Sequence, residues 1–437
     1  MRSLGSFTDV PAFLHDRLAF LARAAATRGD VAELRLGTPT CLLNDPADIR
    51  HVLVGNHAAY AKTDRLTSVA GRRIAGDGVL TSAGERHRRL RRVLQRLFHP
   101  GRVSAFADGI VRLAARRAAA WPVGGRVDMA REMEELARRV MLEALFGELP
   151  DADAVRLGAA VEARRRYIEF WFLSLLPARD RLPTRVRRRY RRAMAVLDDA
   201  VYAAIAARRR GGAGSEDLIA QLVGARDEDG AALTDREVRD EVLTLAITGH
   251  ETLGEALTWT WYLLAQHPGV EQKLLDELGS VLDGRAPAAG DLPRLEYTHT
   301  VLAESLRLYP PTWIFVRNAV EDDVLPTGAA VSRGTKLYLC PYVTHRDARF
   351  FPDPQRFDPE RFGPSARRAR PKLAYFPFGS GPRVCLGETF ARMEALLVLA
   401  AIAPRFRLAV APGQTVVPEP RITLRPRHGL RMLVARR

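Results

Sequence analysis

The chain has 437 residues, of which 47% are hydrophobic and 27% charged, and its formal net charge at pH 7 is +16. A chain of this length is too long to form a single small hydrophobic core. Helical sequence flanks the flexible run at 211–215, so this run is not a linker between domains. We therefore predict one domain over 1–437. Three widely spaced cysteines, Cys41, Cys340 and Cys385, exclude a disulfide framework and favour a reducing compartment.

The strong positive charge raises the question of nucleic-acid binding. Arginine is spread along the whole chain and no known nucleic-acid-binding module occurs, so we predict no nucleic-acid binding and favour a basic patch for an acidic protein partner. Residues 1–5 contain neither the apolar core of a signal peptide nor a membrane span. We therefore expect a cytoplasmic protein without a membrane anchor.

The N-terminal region is predicted to combine helices and strands. Apolar spacing predicts a helix over 11–27, strands over 31–36 and 40–43, and a further helix over 45–54. Residues 71–83 are rich in glycine and are predicted to be irregular. The first helix of the main helical region is therefore expected to begin after this loop.

That helix is strongly basic. His87 and Arg91 lie four residues apart, so a helix places both on one face. At about 100° per residue, the opposite face carries Arg89, Arg92 and Arg96, which we predict to form a basic surface for an acidic protein. A solvated basic helix without a binding role explains the same pattern.

The region 113–207 is mostly amphipathic helix. Within it, residues 167–176 are unusually apolar and aromatic, but this segment is too short to span a bilayer. Core packing, contact with a small molecule and contact with a membrane surface all remain open for it.

A long apolar helix is predicted over 242–265, and the sequence Thr-Gly-His-Glu-Thr at 248–252 interrupts it. Gly249 costs about 1 kcal/mol of helix stability relative to alanine. Thr252 can donate a hydrogen bond to the carbonyl of Thr248 and so bend the helix. The pattern predicts a polar notch in an apolar wall; a polar contact between helices is the alternative.

The next helix carries a candidate ion pair. Glu304 and Arg307 are three residues apart and can pair along one helix face, before two prolines end the helix. Residues 312–316 are predicted to be extended, with apolar side chains that suit a pocket wall, and 337–342 are predicted to form a strand.

Cys385 lies within 378–387, a turn that contains a proline and three glycines, and a helix is predicted over 388–401. The glycines should allow unusual backbone angles and close approach to something flat and bulky: Gly379, Gly381 and Gly387. The backbone N–H groups of the turn and the start of the helix should stabilise a negative charge, so we predict a Cys385 thiolate. It is then a nucleophile or a metal ligand; a buried structural cysteine is the alternative.

Residues 378–387 read F-x-x-G-x-R-x-C-x-G and resemble the haem-binding loop of the cytochrome P-450 superfamily, the haem-thiolate monooxygenases. The notch at 248–252 resembles the oxygen-activation motif of that family, usually A-G-x-[D/E]-T, with Thr248 in place of alanine or glycine. Glu304 and Arg307 resemble its E-x-x-R helix, and 420–427 resembles its last hairpin. The resemblance spans nearly all of the chain.

The resemblance implies a mainly α fold with small β-sheets, in which haem b lies between a long distal helix and the helix after the cysteine loop. It implies that Cys385 binds the iron. The other cofactor-binding residues that it implies are His87, Arg91, Arg317, Phe378, Arg383 and Gly387. It also implies a buried structural salt-bridge cluster of Glu304, Arg307 and Arg361.

For catalysis, the resemblance implies that Glu251 and Thr252 order water and deliver protons, within a motif that also contains Thr248 and Gly249. The substrate pocket is expected to be apolar, which favours a terpenoid, with fatty-acyl, steroid-like or polyketide molecules as alternatives. Its predicted walls are Leu245, Ala246, Trp313, Ile314, Val316 and Ile422.

The implied reaction is hydroxylation of an apolar small molecule of secondary metabolism, with O2 and two externally supplied electrons. Oxidative coupling or peroxide-driven oxidation are alternative outcomes, although Glu251 and Thr252 argue against the use of peroxide, and a non-enzymatic haem-binding protein is an alternative of another class. No reductase module follows residue 437, so we expect a separate ferredoxin or flavodoxin with its reductase. The enzyme is expected to be a monomer.

Overall fold

The computed structural model describes residues 6–62, 67–173, 184–211 and 216–437. Most of the flexible run predicted at 211–215 lies outside the described residues, as do residues 1–5 and the last three residues of the apolar segment predicted at 167–176.

Helices dominate the chain, as predicted. Those up to residue 224 are α1 (Val10–His15), α2 (Arg17–Arg28), α3 (Pro46–Arg50), α4 (Val69–Ala75), α5 (Gly84–Leu97), α6 (Pro100–Val103), α7 (Ala107–Ala119), α8 (Met129–Phe146), α9 (Asp151–Leu173), α10 (Arg185–Arg210) and α11 (Leu218–Gly224). Those that follow are α12 (Asp235–Thr248), α13 (Glu251–Gln266), α14 (Pro268–Leu282), α15 (Glu296–Leu308), α16 (Pro341–Thr344), α17 (Pro364–Ala369) and α18 (Glu388–Ile402).

The strands are short and form small sheets. They are β1 (Val31–Arg35), β2 (Pro39–Leu43), β3 (Tyr60–Ala61), β4 (Arg126–Asp128), β5 (Phe315–Ala319), β6 (Asp323–Val324), β7 (Ala330–Val331), β8 (Lys336–Leu339), β9 (Phe406–Val410), β10 (Pro418–Pro420), β11 (Leu424–Pro426) and β12 (Arg431–Arg436). The largest sheet has five strands in the order β1-β2-β8-β5-β3, with β2 and β8 parallel. A second sheet has the order β4-β12-β9, and β10 pairs with β11 as the predicted hairpin.

Three element boundaries differ from the sequence predictions. The helix predicted from residue 242 begins at Asp235, because Thr234 and Glu237 form a capping box that satisfies the first backbone N–H groups. The loop predicted at 71–83 contains the end of α4, which the Ser68 side chain caps. The strand predicted over 337–342 ends at Leu339, since Pro341 starts α16.

The main hydrophobic core, which includes Leu94, Leu142, Leu257 and Leu397, joins the central helices. The helix after the cysteine loop, α18, is buried without interruption from Met393 to its end. A second core packs α2 against the five-stranded sheet. No helix in the described ranges combines the length and the apolar character that crossing a bilayer requires.

Candidate active site

The cysteine loop is a tight turn. The Cys385 N–H donates to the Phe378 carbonyl at 2.9 Å. Gly379 and Gly381 have φ of +72° and +69°, so the predicted need for glycine holds at both. A Cβ atom on Gly381 would lie 1.9 Å from the carbonyl oxygen of Leu53, which fixes the loop against the turn that follows α3.

Gly387 differs from this prediction. Its φ is −87°, a conformation open to any residue, so backbone freedom does not explain a glycine there. A Cβ atom at this position would meet no described protein atom within 4 Å. Gly387 therefore leaves space beside Cys385, where a flat group can approach the backbone.

Cys385 is exposed in the protein alone, yet protein surrounds it closely enough that burial raises the pKa of its thiol, with the Gly387 N–H opposing this rise. A side chain that is both accessible and surrounded by protein lines an internal cavity, and we infer this position for Cys385. In the protein alone, this desolvation opposes the Cys385 thiolate that the turn and the start of the helix are predicted to favour. Deprotonation at this site requires a further positive charge, such as a metal ion.

Beside the cysteine loop lies a cluster of five basic side chains, the basic cluster: Lys62, His87, Arg91, Arg317 and Arg383. Arg91 and Arg383 join it to the loop, since Arg91 donates to the Val384 carbonyl at 2.6 Å and Arg383 to the Ser82 carbonyl at 3.0 Å. Burial lowers the pKa of Arg317 and of Arg383 to about 10.

The basic cluster has no anionic partner within the described ranges, where none of its members forms an ion pair with a carboxylate. Burial and the neighbouring Arg383 lower the pKa of Lys62 to about 7 and that of His87 to about 3. Buried cations without counter-charges are costly, so their concentration here is typical of a site for an anionic group.

Lys62 was missed by the sequence analysis. It follows β3 and donates to the Leu80 carbonyl at 2.6 Å. Its neighbours in the chain carry no motif, and the one available signal was the rarity of lysine, since the chain has only four among 67 basic residues.

The polar notch at 248–252 is a break between α12 and α13. The Thr252 hydroxyl donates to the Thr248 carbonyl at 3.0 Å, as anticipated, and the Thr248 hydroxyl donates in turn to the Thr244 carbonyl at 2.9 Å. These bonds compete with the helix ladder and explain the interruption. A Cβ atom on Gly249 would lie 2.2 Å from Cε of Met141, so close packing against α8 also requires glycine here.

Glu251 is held by residues from distant parts of the chain. Its Oε1 accepts a hydrogen bond from the Thr423 hydroxyl at 2.8 Å, and Nη1 of Arg165 lies 3.5 Å from the same oxygen. Burial raises the pKa of Glu251, while Arg165 and Thr423 oppose the rise. The last hairpin and α9 thus both reach the notch.

One loop links the notch helix to the cysteine loop. The Val79 N–H donates to Oε1 of Glu241 on α12 at 2.7 Å, and three residues later the Ser82 carbonyl accepts the bond from Arg383. The notch helices and the cysteine loop are therefore fixed around a common region of the protein.

The third motif forms a buried ion pair. Arg307 donates to both carboxylate oxygens of Glu304, at 2.6 and 2.7 Å, and both side chains are fully buried. Nε of Arg361 lies 3.5 Å from Glu304 without a hydrogen bond to it. Arg307 also donates to the carbonyl of His345, which ties α15 to the end of α16.

The predicted pocket walls do not form one continuous surface. Leu245 and Ala246 are buried in the main core at the end of α12, whereas Ile314 packs against the second core. Val316 and Ile422 are half-buried. Trp313 is only 4% exposed and donates its indole N–H to the Arg421 carbonyl, so it packs in the second core.

Phe378 lies partly buried against the main core, and the Arg392 guanidinium stacks on its ring, with its carbon 4.8 Å from the ring centre. Phe378 therefore connects the start of the cysteine loop to α18.

The prediction of a free basic surface at Arg89, Arg92 and Arg96 is wrong. Arg89 forms ion pairs with Asp227 at 2.6 Å and Glu237 at 2.8 Å, and Arg92 pairs with Glu228 and Glu85. Arg96 donates to the Arg226 carbonyl. Acidic residues, most of them more than a hundred positions away, thus neutralise Arg89 and Arg92, whereas Arg96 forms no ion pair in the described ranges.

Comparisons with known proteins agree with this geometry. The cytochrome P450 family model matches residues 8–432. Cyclooctatin synthase from Streptomyces melanosporofaciens is 37% identical over 93% of this chain and 89% of its own length. Cyclooctat-9-en-7-ol 5-monooxygenase from the same organism is 36% identical over 91% of this chain and 86% of its own length.

Two further relatives support the assignment. Pentalenene oxygenase from Streptomyces avermitilis is 33% identical over 92% of this chain and 89% of its own length. The solved structure of cyanobacterial CYP120A1 with retinoic acid bound has a TM-score of 0.87 and 26% identity, and covers 99% of this chain and 98% of its own. The chain therefore belongs to the cytochrome P450 family, whose members are haem-containing monooxygenases that use O2.

Proposed function

We propose that this cytochrome P450 hydroxylates an apolar terpenoid and that residues 1–437 form one haem-thiolate domain. The observation that carries the haem site is the basic cluster beside Cys385, whose cations have no carboxylate partner in the described part of the chain. A cofactor with two carboxylates and a metal centre matches both features at once.

The residues present fit haem b. The Cys385 sulfur would bind the iron, and Gly387 leaves room for the flat ring system, since a Cβ atom there would meet no described protein atom. The basic cluster would hold the two propionates through charge-assisted hydrogen bonds, with Lys62 added to the predicted set of His87, Arg91, Arg317 and Arg383. Phe378 would pack beside the loop.

Haem bound through a cysteine thiolate supplies O2 activation, because electron donation from sulfur favours O–O cleavage. The chain itself contributes proton delivery and the exclusion of stray water. The hydroxyl protons of Thr252 and Thr248 are donated to backbone carbonyls, so both oxygens remain free to accept hydrogen bonds from water at the notch. Water held in this way is oriented for proton transfer.

Glu251 is the acid that supplies protons to this water. Burial keeps its pKa above the usual range, while Arg165 and Thr423 hold the carboxylate form when the proton leaves. An acid poised between these two influences can both release and recover a proton. Thr248, where the family motif usually has alanine or glycine, adds a second acceptor at the same place.

The terpenoid class is supported by the relatives. Two of them are named for oxidation of cyclooctat-9-en-7-ol and of pentalenene, and retinoic acid occupies the related cyanobacterial structure. The apolar side chains at the end of α12, Leu245 and Ala246, suit a hydrocarbon ligand. Val316 and Ile422 would complete the pocket from the other side.

A redox partner supplies the electrons, as in the family. We propose that it is a separate ferredoxin or flavodoxin with its own reductase, and that the enzyme works as a monomer in the cytoplasm. Since Arg89 and Arg92 are already paired, the docking surface is expected to use other cations than these two.

Replacement of Cys385 by serine tests the haem ligand. The ferrous–CO complex of Cys385→Ser should lose the red-shifted Soret band, because a hydroxyl is a poor anionic donor to iron. Cys41→Ser is the matched control, since Cys41 lies in β2, and its spectrum should be unchanged. An unchanged band in Cys385→Ser would refute the proposed ligand.

The substrate class is tested separately. Cyclic diterpenes, fatty acids, steroids and polyketides would be titrated against the ferric enzyme while the haem spin state is recorded, followed by product analysis with a ferredoxin system. Terpenoids should give the strongest spin shift and a hydroxylated product. A shift and product confined to another class would refute the terpenoid proposal.

A further inference from the structure

Glu255 is a buried carboxyl group that the proposed function does not use. It lies on α13 one helical turn after Glu251, and its Oε2 is buried without a hydrogen-bond partner. Residues four apart on a helix have Cβ atoms about 5–6 Å from each other, so the two carboxyl groups are neighbours. Burial and the nearby Glu251 and Glu134 raise the pKa of Glu255 well above its usual value.

A third carboxyl group belongs to this cluster. Glu134 on α8 lies 3.7 Å from Arg165, the same arginine that lies 3.5 Å from Glu251. The two helices touch at this point, because a Cβ atom on Gly254 would be 2.9 Å from Cα of Glu134. Glu134 and Glu251 therefore both approach Arg165, whose shortest ion pair is with Glu162 at 2.7 Å, and both carboxyl groups act electrostatically on Glu255.

Hydrogen-bond donors are unevenly distributed among the three carboxyl groups. Glu251 has both the Thr423 hydroxyl and Arg165 at Oε1, and these donors stabilise its carboxylate. Oε2 of Glu255 and Oε1 of Glu134 are buried and accept no hydrogen bond in the part of the chain that the structure describes. A proton shared by the cluster is thus best placed on Glu255, because its Oε2 accepts no hydrogen bond in the described ranges and burial outweighs the attraction of Arg425 and Arg165 for the anion.

Glu134 is more exposed than Glu251, and Glu255 is a partly buried residue whose Oε2 is buried. The Glu134 side chain is 33% exposed, compared with 12% for Glu251 and 9% for Arg165. The cluster therefore runs from a half-exposed carboxyl group on α8, past Glu255, to the acid at the notch.

We propose that Glu255 is a neutral carboxylic acid that passes its proton to the Glu251 carboxylate, and that Glu134 returns a proton from solvent to Glu255. In the first step the Glu255 O–H bond breaks and a Glu251 O–H bond forms, so the negative charge moves from Glu251 to Glu255. In the second step Glu134 donates its proton to Glu255, so the negative charge moves to Glu134. A proton from solvent then neutralises Glu134. The proposal rests on the proposed function for its role in turnover.

The protonation state is tested by infrared spectroscopy of the substrate-free ferric enzyme. Wild type should show the carbonyl stretch of a protonated buried carboxyl group, shifted in D2O, and Glu255→Gln should lack this component. Glu241→Gln is the matched control, because Glu241 is also buried, with a pKa raised to about 8, but contacts Val79 instead of the cluster. Retention of the Glu255 component in Glu255→Gln would overturn the assignment.

The relay is tested by turnover. Glu255→Gln should lower the rate of coupled product formation by about 100-fold, the lower end of general acid–base effects, with an increased solvent isotope effect. Glu134→Gln should slow turnover less, and Glu241→Gln should turn over as wild type. A wild-type rate in Glu255→Gln would refute the relay.

A structural role predicts the opposite order of variants. Glutamine preserves the size of Glu255 but cannot donate an acidic proton, whereas aspartate keeps the acid and loses one methylene. The relay requires Glu255→Asp to be the faster enzyme, and a packing role requires Glu255→Gln to be the faster. Since haem ligation is read from the CO spectrum of Cys385→Ser, failure of the proposed function is distinguished from failure of the relay.

Discussion

Alanine substitutions at the three glycines of the cysteine loop distinguish the constraints set by folding of the polypeptide from those set by haem binding. Alanine at Gly381 must adopt φ of +69°, which costs an L-residue about 1–2 kcal/mol. Its Cβ atom would also lie 1.9 Å from the Leu53 carbonyl oxygen. Relief of such overpacking typically costs about 1–3 kcal/mol, so Gly381→Ala should lose about 2–5 kcal/mol of stability in total.

The neighbouring positions provide matched comparisons. Gly379→Ala carries the same backbone strain, but its Cβ atom meets only the Phe315 ring at 3.4 Å, so we expect a loss of about 1–2 kcal/mol. Gly387→Ala has neither strain nor a protein contact, and its free energy of unfolding should change by less than about 0.5 kcal/mol. The methyl group of this alanine would instead lower the affinity of the protein for haem packed at this face.

The assay combines urea unfolding, followed by far-UV circular dichroism in haem-free protein, with haem content after reconstitution. The expected order of destabilisation is Gly381→Ala, then Gly379→Ala, then Gly387→Ala, whereas haem retention should fall in Gly387→Ala although its polypeptide is stable. Equal destabilisation of Gly381→Ala and Gly379→Ala would show that the contact with Leu53 does not constrain the loop. Destabilised haem-free Gly387→Ala would contradict the open space at that position.

Three other predictions follow from the site. Glu304→Gln should cost about 3–5 kcal/mol in urea unfolding, because Arg307 is left as a buried charge without its partner; a cost below about 1 kcal/mol, as expected for an exposed pair, would contradict this. Thr248→Ala/Thr252→Ala should yield less product and more peroxide per electron pair than either single variant, and full coupling would exclude both hydroxyls from proton delivery. Burial and Arg383 lower the pKa of His87 to about 3, so in haem-free protein the unfolded chain binds a proton below pH 6.5 that the folded chain does not, and stability should fall from pH 6.5 towards pH 3. His87→Gln should flatten that decrease in the urea midpoint, and an unchanged slope would show that His87 is not the group involved.

Much of the fold and of the site follows from local sequence. The sequence predicted the helix over 388–401 to within one residue and the helical region over 11–27, which Asp16 divides into α1 and α2, since the apolar spacing of a helix depends on near neighbours in the chain. The missed boundaries arise from single capping side chains, such as Thr234 and Ser68, which act on one turn and leave little trace in the apolar pattern.

The sequence alone determined the features that depend on neighbouring residues: the glycine turn at Cys385, the bend at Thr252, and the pairing of Glu304 with Arg307. Tertiary structure decided which charges are free and which are neutralised. Lys62 lies in the basic cluster, and the charge of Arg89 is neutralised, because of contacts with residues that lie far away in the chain. The same is true of Glu134, which reaches Arg165 only after α8 packs on α9, since local spacing specifies a helix face but not what packs against it.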